Sequence, residues 1–234
     1  MVSKMPIIQP GESMPNKKDL VKFEECFAKI LLEKVYPERY KNLILSDKPD
    51  LISEDNSYGI EVTFAIPSER QEKISLWWEL HLKGVKKKDQ KLKRLNSLGI
   101  DYDENCIGLA YNGYPVNDFD SSPYTNIVNS ISTKVKKLNK GHYKKLDRYD
   151  LFIECDLSVL SYFLPILLDR IKQINTLGNK FSYIYVLFAN DICEFNMETN
   201  SFEVRKLFFE IYDISIKAKE VLEGLKDDET GTVN

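Results

Sequence analysis

Cysteine and histidine are scarce in this chain, and the few present are scattered. The four cysteines, Cys26, Cys106, Cys155 and Cys193, form no CxxC pair, and only His81 and His142 are there to complete a zinc site. Structural zinc needs closer ligand spacing, so these are read as free thiols in apolar segments, kept in a reducing compartment. Long hydrophobic runs are missing too. None approaches the roughly 18 residues of a membrane span, and the start, Met1-Val2-Ser3-Lys4-Met5-Pro6, lacks the apolar core of a signal peptide. The chain therefore reads as cytoplasmic. Repeats, low-complexity blocks and clear linkers are also lacking, which favours one elaborated domain over residues 18–225. A flexible leader at 1–17 would precede it and a disordered tail at 226–234 would follow, with an insertion at about 84–123.

What is present is an ordinary globular composition, 43% hydrophobic and 29% charged over 234 residues, long enough for a sizeable core. A net charge of −3 excludes a uniformly basic surface, but the charge is unevenly spread. Segments 83–94 and 134–148 each hold seven Lys or Arg and one acid, leaving 19 bases against 34 acids elsewhere. Two basic islands on an acidic chain suit a surface that meets phosphates in one place, and equally suit solvated helix faces. Lys86, Lys87, Lys88 and Lys91 in the first, and Lys137 and Lys140 in the second, are the expected nucleic-acid contacts.

Two helices carry charges in odd positions. From Asp19 to Val35, Leu20, Phe23, Phe27, Ile30, Leu31 and Val35 make one apolar stripe, and Glu24 falls inside it while Glu25 points away. From Pro123 to Leu138 the stripe is Ile127, Val128, Ile131, Val135 and Leu138, and Lys134 lies between Ile127, Ile131 and Leu138. An acid or a cation on a core-facing stripe needs a partner or a route to water. A capping-box pattern at Ser68 and Gln71 predicts another helix, whose Trp77 and Trp78 read as core. Apolar segments at Tyr149–Cys155 and Phe181–Phe188 read as buried strands, with a helix from Leu157 to Ile174 between them. Shorter strands follow at Ile192–Phe195 and Phe202–Leu207, then a helix from Phe208 to Leu225. This order predicts an α/β fold with a mixed central sheet flanked by helices.

The stretch with most chemical content is Lys48-Pro49-Asp50-Leu51-Ile52 followed by Tyr58-Gly59-Ile60-Glu61-Val62-Thr63-Phe64. With a strand period of two, Ile60, Val62 and Phe64 share one face, and Glu61 and Thr63 the other. Two carboxylates on adjacent strands repel unless a cation sits between them, so Asp50 and Glu61 suggest a hard metal ion.

Pro49-Asp50 followed by Ile60-Glu61-Val62 resembles the PD-(D/E)XK, or restriction-endonuclease-like, nuclease superfamily. The resemblance implies a restriction-endonuclease-like core with insertions, and an Asp and a Glu that bind Mg²⁺ or Mn²⁺. It also implies a lysine two residues after the Glu, where this chain has Thr63. Some members carry that lysine on the following helix, which makes Lys134 the replacement. Others add a carboxylate from the preceding helix, which makes Glu24 a third metal ligand. The activity implied is phosphodiester hydrolysis, in DNA. The alternatives are an inactive nucleic-acid-binding protein on the same fold, or a protein-interaction module. Oligomeric state, homodimer included, stays open.

Overall fold

Strands that are apolar along their length need cover on both faces, and the two segments that read so, Tyr149–Cys155 and Phe181–Phe188, lie side by side within the sheet. In the computed structural model, which describes residues 17–65, 72, 76, 80, 87–99, 122–155, 159, 161–189, 191–207 and 210–230, β3 (Tyr58–Phe64), β4 (Arg148–Glu154) and β5 (Phe181–Leu187) run parallel. β1 (Ile44–Leu45) and β2 (Leu51–Ile52) add to β3 as an antiparallel meander. β6 (Asp191–Asn196) and β7 (Ser201–Lys206) extend β5 in the same manner. The result is a seven-stranded mixed sheet in the order β1-β2-β3-β4-β5-β6-β7. The α/β class expected from the order of elements is the one found.

The helices are α1 (Lys17–Val35), α2 (Lys88–Ser97), α3 (Ser122–Leu138), α4 (Leu164–Ile174) and α5 (Glu210–Thr230). Because β3, β4 and β5 advance in one direction across the sheet, crossovers of one hand bring α3 and α4 to the same face. There Ile127, Ile131, Val135 and Leu138 of α3 and Leu164, Leu167 and Ile171 of α4 bury Leu151, Ile153, Ile184 and Val186. The other face belongs to α1 and α5: Phe23, Phe27 and Leu31 meet Leu51, Ile60, Phe152 and Tyr185, beside Ile214, Ala218 and Leu222. No described helix is long and apolar enough to cross a membrane.

Three elements depart from the sequence expectation. The helix expected from Leu157 begins at Leu164, after a 3₁₀ turn at Ser161–Phe163, because Pro165 sits in its first turn, where a missing N–H costs nothing. The irregular insertion at about 84–123 contains α2, whose one buried residue is Leu95, so no apolar stripe announced it. The last helix runs past Leu225 to Thr230, where a disordered tail was expected. Gly224 inside a helix costs only about 1 kcal/mol, and no proline follows to stop it. The Trp77–Trp78 pair, His81 and Lys86 lie outside the described residues.

A polar network on the α1 face ties the α1–β1 connection to the sheet. Asp150, fully buried, accepts from the Tyr40 hydroxyl at 2.8 Å, from Arg148 Nε at 3.0 Å and from the Tyr183 N–H at 3.1 Å. The Tyr40 and Tyr185 hydroxyls are 3.0 Å apart, and Arg39 pairs with Glu194 at 2.8 Å while stacking over the Tyr183 ring at 3.8 Å. Burial pushes the Asp150 carboxyl up to about 6, although Arg148, Tyr40 and the Tyr183 N–H pull the other way.

Candidate functional site

β2 pairs with β3 only through Leu51↔Ile60 and Ile52↔Gly59. One step further along this antiparallel register sets Asp50 opposite Glu61, on the same side of the sheet. The strand has ended there, and the Asp50 side chain takes over its work: Oδ2 accepts the Val62 N–H at 2.7 Å. The free edge of β3 beyond this point is closed from α3, where Lys134 Nζ donates to the Val62 carbonyl at 3.0 Å and Ser130 Oγ to the Phe64 carbonyl at 2.9 Å. The site is thus an edge of the sheet finished by side chains instead of by another strand.

Lys134 Nζ also lies 2.5 Å from Glu61 Oε1, with the two side chains only 13% and 7% exposed. This decides between the two uses of a lysine on an apolar stripe. Its ammonium does not run out to water; it turns inward to a carboxylate. Glu61 Oε2, by contrast, is buried without a hydrogen-bond partner. Burial raises the Asp50 carboxyl to about 6, and the Glu61 charge adds to the rise against the pull of the Val62 N–H and Lys134.

The approach of Asp50 depends on Gly59. A Cβ there would lie 2.2 Å from Pro49 Cγ and 2.7 Å from Leu146 Cδ1, so only glycine lets the Pro49 ring and the α3–β4 connection close over β3. That connection is pinned by the Lys144 N–H to the Lys48 carbonyl at 3.1 Å and by Lys144 Nζ to Asn56 Oδ1 at 2.6 Å. It brings in Tyr143, which sequence reasoning missed. Burial, then the charge of Glu61, raise the Tyr143 hydroxyl well above its ordinary value. Within the sequence Tyr143 is an aromatic residue in a basic island, with no spacing that points to β3.

Of the expected site residues, the structure brings together Asp50, Glu61 and Lys134. Glu24 is half-buried on α1, whose apolar side covers the face opposite the one from which Glu61 projects. Among the described residues no group of three or more His, Cys, Asp or Glu is placed to hold a metal ion, so Glu24 does not join Asp50 and Glu61 as a third ligand. Thr63, where the resemblance implies a lysine, lines a cleft with Phe64, Asn126, Asn129, Ser130, Thr133, Lys134 and Lys137. Lys137 is therefore at the site. Lys140 is exposed in the α3–β4 connection, and Lys87, Lys88 and Lys91 stand at the start of α2, the first two exposed and the third half-exposed.

The second basic island keeps five of its seven cations exposed, Lys136, Lys137, Lys140, Lys144 and Lys145. Lys134 is turned to Glu61, Lys144 to Asn56 and Arg148 to Asp150.

The residues present fit a divalent cation in part. Glu61 holds the Lys134 ammonium with Asp50 beside it, Glu61 Oε2 is buried without a hydrogen-bond partner, and all the donors are hard oxygens. Magnesium, which takes one or two carboxylates and keeps several waters, asks for no more than this. Comparison with protein families, with curated proteins and with solved structures finds no match for the chain. The fold and the Asp50–Glu61–Lys134 cluster are what a functional reading can rest on.

Proposed function

We propose that this protein is a divalent-metal-dependent nuclease that hydrolyses phosphodiester bonds in DNA, on a variant of the PD-(D/E)XK site in which the lysine comes from α3. The observation that carries the reading is the meeting of Lys134 with Glu61 beside Asp50, across two segments far apart in the chain. A Mg²⁺ or Mn²⁺ ion, when bound, supplies polarisation of the phosphate and a more acidic water.

The chain's own residues do the rest. Asp50 and Glu61 offer the oxygen donors, Glu61 through Oε2, since Oε1 is taken by Lys134. Lys134 holds an ammonium against the same carboxylate, where it can orient the attacking water and offset charge that grows on the phosphate. Val62 anchors both partners through its backbone, so the acid and the lysine keep one geometry. Tyr143, beside Glu61, limits the orientations open to that carboxylate.

Incubation with DNA in Mg²⁺ or Mn²⁺ tests the proposal. Asp50→Ala and Glu61→Ala should each lower cleavage by at least about 10²-fold, and Lys134→Ala by a similar factor. Cleavage that survives both carboxylate replacements removes the site assignment. A second reading, a nucleic-acid binder without turnover, is favoured by Thr63, which stands where the resemblance implies the catalytic lysine. It predicts salt-sensitive binding and no metal-dependent product.

A further inference from the structure

The cleft beside Lys134 has a composition that the chemistry at Asp50 and Glu61 does not use. Its volume is about 220 Å³, below the roughly 300–1,000 Å³ of pockets that enclose a whole drug-sized ligand. It suits one unit of a longer molecule. Ser130 and Lys134 are committed to the edge of β3, but among the described residues no side-chain hydrogen bond engages Asn126, Asn129, Thr133 or Lys137. At 100° per residue these four share about 80° of the α3 surface, and Asn126 to Lys137 spans roughly 16 Å along the axis. Two carboxamides, a hydroxyl and one ammonium make a row of neutral donors and acceptors with a single charge. The row runs next to the carboxylates rather than away from them, since Thr63 and Lys134 line the same cleft.

We infer that this cleft is a subsite for one nucleotide flanking the scissile phosphodiester, with Lys137 and Thr133 meeting its phosphate and Asn126 and Asn129 its sugar and base edge. The inference rests on the nuclease reading for its placement next to the cleaved bond. Carboxamides pair with base edges and sugars, and one lysine is enough to take one phosphate. A purely electrostatic track would carry several cations in this row. Here there is one, so the cleft holds a single nucleotide by its shape and polar groups, and a strand threads past the carboxylates from there.

The test uses the full chain and a fluorescently labelled single-stranded DNA of about 12 nucleotides, titrated by anisotropy at several salt concentrations with and without Mg²⁺. Lys137→Ala should reduce the salt dependence of log K by about 0.7, the loss of one phosphate contact. Asn126→Ala/Asn129→Ala should weaken binding about 10-fold with the salt slope unchanged, because its lost contacts are uncharged. All of these side chains are at least partly exposed, and unchanged melting of the variants confirms that binding alone is affected. Affinity and salt slope equal to wild type in both variants overturn the subsite. Metal-dependent cleavage together with that result keeps the nuclease and discards the subsite. A titration that responds as expected, with no cleavage in any divalent metal, keeps the cleft as a nucleotide site and discards the nuclease.

Discussion

Asp50 is held where its charge is unwelcome. Its carboxyl is raised from 3.8 to about 6 by burial and by Glu61, so the ionised form is worse off in the folded chain than in the unfolded one. For an acid shifted upward, stability is full below the unfolded value and falls as pH rises through the folded one. Asp50→Asn keeps an acceptor for the Val62 N–H and removes the charge. It should match wild type near pH 3.5 and exceed it by about 1–2 kcal/mol above pH 6, less than the full shift implies because Asp50 keeps some contact with water. Chemical denaturation across that range measures the gap. Mn²⁺ should then stabilise wild type more than the variant, which keeps Glu61 but has lost one of the two charged ligands. Lys134→Ala has the opposite sign. It leaves Glu61 buried without its cation and should cost about 3 kcal/mol, part of which Mn²⁺ should restore.

The elements around the site differ in how openly the sequence declares them. Periodicity was enough for α1 and α3, and continuous apolar character was enough for β4 and β5, because in each case burial acts on a run of neighbouring residues. The same reasoning placed Asp50 with Glu61 and set Lys134 on the inner side of α3. It could not find Tyr143 or Tyr40, which reach their partners through irregular connections whose course depends on contacts far along the chain. Glu24 was expected at the site because it lies in the inner stripe of α1 and the resembled family adds a carboxylate from the helix before the metal-binding strands. Helical phase fixes which side of a helix is buried, not which face of the sheet buries it. Gly59 is the element-scale hinge of the arrangement: the β2–β3 pair and the α3–β4 connection close over it. Gly59→Ala should lower stability by about 1–3 kcal/mol by overpacking Pro49 and Leu146. It should also displace Asp50, so cleavage should fall more than the loss of stability accounts for, as an assay well below the melting temperature would show.

At the scale of the whole molecule the two faces of the sheet serve different ends, and Asp150 stands on the side away from Glu61. It anchors the connection after α1 to β4 and β5 through Tyr40, Tyr185 and Arg148, yet burial still raises its carboxyl from 3.8 to about 6. Like Asp50, it therefore makes the fold less stable as pH climbs through that window, and the charge of Arg148, with the hydrogen bonds from Tyr40 and the Tyr183 N–H, limits the loss. Tyr40→Phe removes one donor at nearly constant shape. The buried carboxylate then loses one of its three donors, and its protonated form is favoured further. The variant should lose about 1–3 kcal/mol at pH 7 and distinctly less at pH 4, where the carboxyl in the fold is protonated and the missing donor matters less. Urea midpoints at the two pH values check this. A loss equal at both would mean that Tyr40 acts through packing against Tyr58 and Tyr185, and that Arg148 and the Tyr183 N–H are enough to hold the charge on Asp150. Because Tyr40 is on the face opposite the Asp50–Glu61–Lys134 cluster, activity per folded molecule should stay near wild type in either case.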